Sequence, residues 1–177
     1  MTQNQLGQMY ALTVMTPIDP TRAQSVRDIL ADLPRRPSPF ARLKAAHFAR
    51  WVTVPDFVTD PSQPAPEHLP GPYLLFSVTF DGLLDAFLEQ LTASLETELQ
   101  AIYGCCVGAP DPARGEPLQD YLRHNQVQTG LFFSAYPDAT VETVMDALGV
   151  RQRTIDFAIR AQGMHPNELL SAFRTEF

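Results

Sequence analysis

The sequence has little that could form covalent cross-links or a basic surface. Its two cysteines, Cys105 and Cys106, are adjacent, and Lys44 is its single lysine against a formal net charge of −7. Adjacent cysteines do not make a disulfide framework, so they are two thiols near a helix end or a strained vicinal disulfide. The acidic charge argues against binding nucleic acid or an anionic membrane, since both require clustered basic side chains.

Long hydrophobic runs are also missing. No apolar stretch approaches the roughly 20 residues of a membrane span, and the first residues are polar where a secretory leader would be basic and then apolar. We therefore expect a cytoplasmic protein without membrane contact. Its 177 residues, 45% hydrophobic and 19% charged, suit a single domain over 1–177 with a substantial core.

The hydrophobic pattern predicts alternating strands and helices. The predicted strands are 9–16, 45–54, 72–80 and 130–136, and the predicted helices are 20–33, 83–103, 117–126 and a helical C-terminal extension within 139–177. Six of the 16 prolines fall in 55–72. Proline breaks helices and central strands, so we expect this Pro-rich loop to be mobile or to act as a lid.

The element order predicts an α+β fold of the ferredoxin-like, split βαβ type. Its four-stranded antiparallel sheet would carry helices 20–33 and 83–103 on one face. Leu12, Leu75 and Phe133 alternate onto the other face, which therefore needs a cover. The cover would be a second copy, in a dimer that closes a barrel, or the C-terminal helices.

Three ionisable residues stand out because they lie in predicted strands or directly after one, in a mostly apolar chain: His47, Arg50 and Asp81. His47 could be a general base or a haem ligand, or a structural histidine bonded across the sheet. Arg50 could bind substrate, or form an ion pair with Asp81 or Asp85. Asp81 could be catalytic, or could end its strand and cap the next helix.

Strand alternation also suggests a pocket wall. If Phe48 joins the more apolar face of the sheet, His47 and Trp51 share the polar face with Ser77 and Thr79. An indole, an imidazole and two hydroxyls would suit a small apolar or aromatic molecule. The four histidines are scattered without metal-ligand spacing, so we expect neither a metal nor another cofactor.

Several short segments resemble known families. They are 47–51 (HFARW), 74–76, 80–82, 106–108 and 134–141. The chain is similar to the dimeric α+β barrel superfamily, and more closely to an uncharacterised domain family found with peroxidase- or catalase-type proteins. That resemblance implies a homodimer, a possible redox-enzyme partner and haem as the alternative cofactor.

The predicted function is therefore small-molecule binding by an α+β barrel domain, either as a cofactor-independent oxidoreductase or as an accessory to a redox enzyme. Two alternatives stay open. One is a haem-binding, peroxidase-like protein, and the other is a non-catalytic interaction module.

Overall fold

The computed structural model describes residues 4–35, 37–58, 62 and 64–177. Its contacts divide the chain into two units, the first ending at Asp138 and the second being Ala139–Phe177. The first unit is α+β, as the element order predicts. Among the described residues, no helix is both long and apolar enough to cross a bilayer.

The sheet of the first unit has four antiparallel strands in the order β1-β2-β4-β3. They are β1 (Gln5–Leu6), β2 (Met9–Pro17), β3 (Ala46–Val54) and β4 (Tyr73–Asp81). β4 pairs with both β2 and β3, so β2 and β3 run parallel on either side of it. Three of the four predicted strands are confirmed within a residue or two at their ends.

The fourth predicted strand, 130–136, is wrong. This segment is irregular, and Leu131 and Phe133 are 87% and 79% exposed. The edge of β2 is already occupied by β1 and by the segment 125–127: Met15 N–H donates to Asn125 O and Val127 N–H donates to Thr13 O. Among the described residues this edge of β2 is therefore already paired, so the apolar segment 130–136 cannot join the sheet there.

Four helices accompany the sheet: α1 (Ala23–Asp32), α2 (Leu84–Ser94), α3 (Glu96–Tyr103) and α4 (Leu118–His124). The single helix predicted at 83–103 is therefore two helices. The break is at Leu95, whose φ of −118° and ψ of 25° leave the helical region. The Thr92 hydroxyl donates to Leu88 O, a side-chain bond that often bends helices. Leu95 nevertheless stays fully buried.

The core lies between one face of the sheet and these helices. Leu74, Phe76, Val78 and Phe80 of β4 are at most 1% exposed and belong to one buried cluster with Leu88, Leu91 and Leu99 of α2 and α3. The opposite face is much more accessible, since Phe48 and Val52 of β3 are 79% and 38% exposed. The predicted buried face is confirmed, and Leu75 lies on the open face opposite Val52. The prediction that Leu12 lies on the open face is wrong: it pairs with Val78 and is 1% exposed in the core, and Phe133 lies outside the sheet.

The second unit consists of α5 (Val141–Arg160) and α6 (Pro166–Glu176). Thr140 caps α5 by accepting from Thr143 N–H, and His165 caps α6 together with Glu168. Phe157 of α5 contacts Phe173 and Phe177 edge to face, with ring centroids 5.9 and 5.8 Å away. No residue of either helix is buried.

Candidate functional site

His47 and Asp81, two of the predicted site residues, lie together. The Nε2 atom of His47 is 2.7 Å from Oδ1 of Asp81, and their side chains are 10% and 16% exposed. His47 is the extra residue of a β-bulge, because Ala46 pairs with Phe80 whereas Phe48 pairs with Thr79. Asp81 does not cap α2, whose N-cap is Leu83. The pair joins the start of β3 to the end of β4.

A carboxylate that binds one imidazole nitrogen fixes the orientation and tautomer of the ring. This is what a positioned general base requires, and it is also what a structural bond across a bulge requires. Neither residue lines one of the three cavities described for this chain. The geometry therefore favours the structural role of His47.

Arg50 does not form the expected ion pair. It is exposed and lies opposite Ser77, four residues, or about 13 Å, along β4 from Asp81. Asp85 instead pairs with Arg123, whose Nη2 lies 2.9 Å from Oδ1. Within the described part of the chain Arg50 has no ion pair, so the predicted pairing with Asp81 or Asp85 is absent.

The residues proposed as one pocket wall lie on opposite faces of the sheet. Trp51 pairs with Phe76 and contacts the rings of both Phe76 and Phe40, with centroids 5.2 and 4.6 Å away. Ser77 and Thr79 are on the other face, opposite Arg50 and Phe48. The bulge at His47 causes this separation, because one extra residue reverses the facing of every later side chain in β3.

In the described part of the chain, three buried side-chain polar atoms lack a hydrogen-bond partner: Nε1 of Trp51, the hydroxyl of Tyr103 and Oε2 of Glu98. The first two lie near the core. Burial raises the pKa of Tyr103, and the indole N–H of Trp51 opposes that rise. The two groups therefore approach each other without reaching good hydrogen-bond geometry. Tyr103 stays a neutral phenol at physiological pH.

A cavity of about 490 Å³ lies where the segment 109–119 returns past α2 and α3. Sequence reasoning missed it, since it depends on the break at Leu95 and on a loop packing back against two helices. Its buried floor is formed by Leu99 and Tyr103, which are 0% and 1% exposed. The remaining lining residues are Glu89, Thr92, Ala93, Glu96, Gln100, Gly104, Ala109, Pro110, Gly115, Glu116, Leu118 and Gln119.

Hydrogen bonds hold the polar part of this lining. Gln119 Nε2 donates to Thr92 Oγ1 at 2.9 Å and so ties α4 to α2. Gln100 Nε2 donates to Glu96 Oε1 at 3.1 Å along α3. The lining also contains Glu89 and Glu116, and the described lining residues include no basic side chain. The cavity thus combines an apolar floor with a polar, acidic margin.

The cysteines are free thiols, so the vicinal disulfide is not formed. The Thr16 hydroxyl donates to Cys106 Sγ at 3.4 Å. Burial raises the pKa of the Cys106 thiol, which keeps it protonated and unreactive. The described residues contain no group of three or more histidine, cysteine, aspartate or glutamate side chains placed to hold a metal ion.

The histidines do not fit a haem in the cavity. Nε2 of His47 is occupied by Asp81, Nδ1 of His68 lies 2.7 Å from Asp56, and His165 caps α6. The fourth histidine, His124, is exposed on α4 and does not belong to the lining. Among the described lining residues there is no histidine, cysteine or methionine to serve as an axial ligand, and burial raises the pKa of the one tyrosine, Tyr103, which disfavours the phenolate that a haem iron binds.

Comparison with known proteins finds no relative for this chain: no family model matches it, and neither the curated proteins nor the solved structures include a significant match.

Proposed function

We propose that this chain is a small-molecule-binding protein and that the cavity beside α2 and α3 is its site. The observation that carries the proposal is the cavity itself. Its volume of about 490 Å³ falls within the roughly 300–1,000 Å³ of ligand sites, which are mostly apolar with a few polar groups. The polar groups here come from α2, α3 and α4, and the hydrogen bond from Gln119 to Thr92 ties α4 to α2.

The lining favours a small apolar or aromatic ligand. Leu99 and Tyr103 give the cavity a buried floor, and the ring of Tyr103 offers an aromatic surface. Thr92, Gln119 and Gln100 can orient polar substituents at the margin. Recognition by shape and apolar contact, with orientation by a few polar groups, requires no cofactor.

Filling the cavity tests this function. Ala93→Trp places an indole in the lining, at an exposed position of α2. Ala86→Trp, at another exposed position of α2 outside the lining, is the matched control. Compounds from a panel of small aromatic and apolar molecules should raise the melting temperature of the parent protein and of the Ala86 variant, and have no effect on the Ala93 variant. Equal responses in both variants would exclude this cavity.

We also propose the ferredoxin-like plan and a barrel-closing homodimer as the finer description of the first unit. Support comes from β4 lying between β2 and β3 and from the exposed Phe48 and Val52 on the open sheet face. In a chain that ends at Asp138 and therefore lacks α5 and α6, Phe48→Asp should weaken such a dimer in light scattering, and Lys44→Asp, outside the sheet, should not. An unchanged mass for the Phe48 variant would contradict an interface on this face.

For the alternative of a cofactor-independent oxidoreductase, His47 and Asp81 are the pair to test, although they lie outside the lining of the cavity. A cofactor-independent oxidoreductase would lose turnover in His47→Ala, whereas a non-catalytic accessory to a redox enzyme would have none to lose. The haem alternative has a direct test as well, because a haem protein shows a Soret band after purification or after haem is added.

A further inference from the structure

Apolar residues follow a heptad pattern along the whole of α5. Successive positions are separated by four, three, four, three and four residues, and they are Val141, Met145, Leu148, Gln152, Ile155 and Ile159. Five of the six are apolar. This alternation is the pattern of a coiled-coil seam, in which positions a and d of each heptad face a second helix. In this register Met145, Gln152 and Ile159 are a positions, and the others are d positions.

The seam lies on the side of α5 that α6 does not use. Phe157, which contacts Phe173 and Phe177 of α6, is two residues, or about 200° around the helix, from both Ile155 and Ile159. The seam residues Met145, Leu148, Ile155 and Ile159 are 61%, 52%, 37% and 62% exposed. A helix that is apolar on two opposite sides is normally covered on both.

We propose that α5 pairs with α5 of a second copy of this chain as a parallel, in-register, two-stranded coiled coil. The charges beside the seam argue for this occupant and this direction. Arg151 is a g position and Asp156 is the e position five residues later. In a parallel pair, g of one helix meets the following e of the other, so Arg151 meets the partner's Asp156 on both sides.

An antiparallel pair would lose this match, because g positions then face g positions and Arg151 approaches its own copy. The polar a residue, Gln152, agrees with the parallel arrangement. Its Nε2 donates to Asp156 Oδ1 on the same helix at 2.9 Å, which holds the carboxylate beside the seam. A single polar a residue that meets its own copy also fixes the register.

The other two arginines of α5 do not flank the seam as Arg151 does. Arg160 pairs with Glu176 of α6, and Arg153 is two residues from Arg151 and lies on the other side of the helix. Arg153 therefore provides a control with the same substitution on the same helix.

The test measures the mass of the full chain by light scattering in low salt, with Phe48→Asp in every sample so that the sheet face does not contribute. The starting protein should have twice the 19.7 kDa of one chain. Arg151→Glu and Asp156→Arg should each raise the dissociation constant roughly tenfold, since each replaces two attractive pairs by two repulsive ones. Arg153→Glu should leave it unchanged.

Mixing the two weakened variants gives the decisive result. At positions 151 and 156 the Arg151 variant presents only acidic side chains and the Asp156 variant only basic ones, so the mixture should recover the dissociation constant of the starting protein, which each variant alone exceeds. Recovery also shows that both variants are folded. A monomeric starting protein, or a mixture that stays monomeric, would overturn the proposal, and the seam would then have another cover.

Helix direction has its own readout. Met145→Cys should cross-link to its own copy under mild oxidation in a parallel pair, because equal a positions meet. In an antiparallel pair the two sulfurs would be about 20 Å apart, so the absence of that cross-link, with the native sequence as control, would exclude the parallel arrangement.

Discussion

The bond between His47 and Asp81 shows how one residue can decide the geometry of a strand. The imidazole is inserted at a bulge and its Nε2 is held 2.7 Å from a carboxylate at the end of the neighbouring strand. Hydrogen bonds to charged groups in partly buried positions contribute more than ordinary ones. The pair therefore ties two strands together where the regular ladder is interrupted.

His47→Ala should lower the free energy of unfolding by about 1–3 kcal/mol, because Asp81 loses its imidazole partner in a nearly buried setting. Urea denaturation with a structural probe measures this change. His68→Ala, which removes a more exposed histidine-aspartate bond, is the control and should cost less. If the His47 variant unfolds at the parent urea concentration, the bond has no structural role and catalysis becomes the better explanation.

Asp56 organises the described part of the Pro-rich loop. It binds the ring of His68 and accepts from Leu69 N–H and Phe57 N–H, and these bonds lower its pKa to about 2. The predicted mobility of 55–72 covers residues 59–61 and 63, which lie outside the described residues. The side chain of Asp56 thus joins the first residues of the loop to residues 68 and 69 near its end.

The order of this loop should depend on pH in a definite direction. Because the folded pKa of Asp56 lies below its ordinary 3.8, the loop contacts gain their full strength above about pH 4 and lose it as the pH falls towards 2. Amide exchange at Leu69 should therefore accelerate over this interval beyond its intrinsic pH dependence. Asp56→Asn should remove the effect, and a parent-like pH profile in that variant would contradict the assignment.

At the scale of elements, the sequence predicts the first unit well where apolar periodicity and burial agree. The structure confirms three predicted strands, 9–16, 45–54 and 72–80. It also confirms that the apolar stripe predicted along 83–103 is buried. The bulge could not be predicted, because His47 is compatible with regular pairing and only the register to β4 reveals the extra residue. That one residue separates Trp51 from Ser77 and Thr79.

The α2–α3 pair is the element on which the core most depends. Leu91 is fully buried, one turn before the break at Leu95. Leu91→Ala should cost about 2–5 kcal/mol, from lost burial plus the cavity left behind, as measured by urea denaturation. Leu83→Ala, at a residue 70% exposed just before α2, should cost far less. Similar costs for the two changes would mean that the helices do not depend on this contact.

At the scale of the whole chain, burial is very unevenly distributed. Among the described residues, every buried hydrophobic side chain lies between Met9 and Leu122, whereas α5 and α6 contain none. The candidate cavity also lies wholly in the first unit. It could not be predicted from the sequence, since its lining comes from α2, α3, α4 and a loop that has no apolar periodicity.

This distribution predicts different behaviour for the two units when they are separated. A chain that ends at Asp138 retains every buried hydrophobic residue and should unfold cooperatively in urea, with the circular dichroism of an α+β domain. The fragment 139–177 should have little helix when dilute, because two helices without a buried residue cannot offset their ordering entropy. Its helix content should rise with concentration if α5 finds a second copy, and Leu148→Glu in the same fragment should prevent that rise. A gradual, non-cooperative loss of structure in the chain that ends at Asp138 would show that the first unit depends on the helices that follow it.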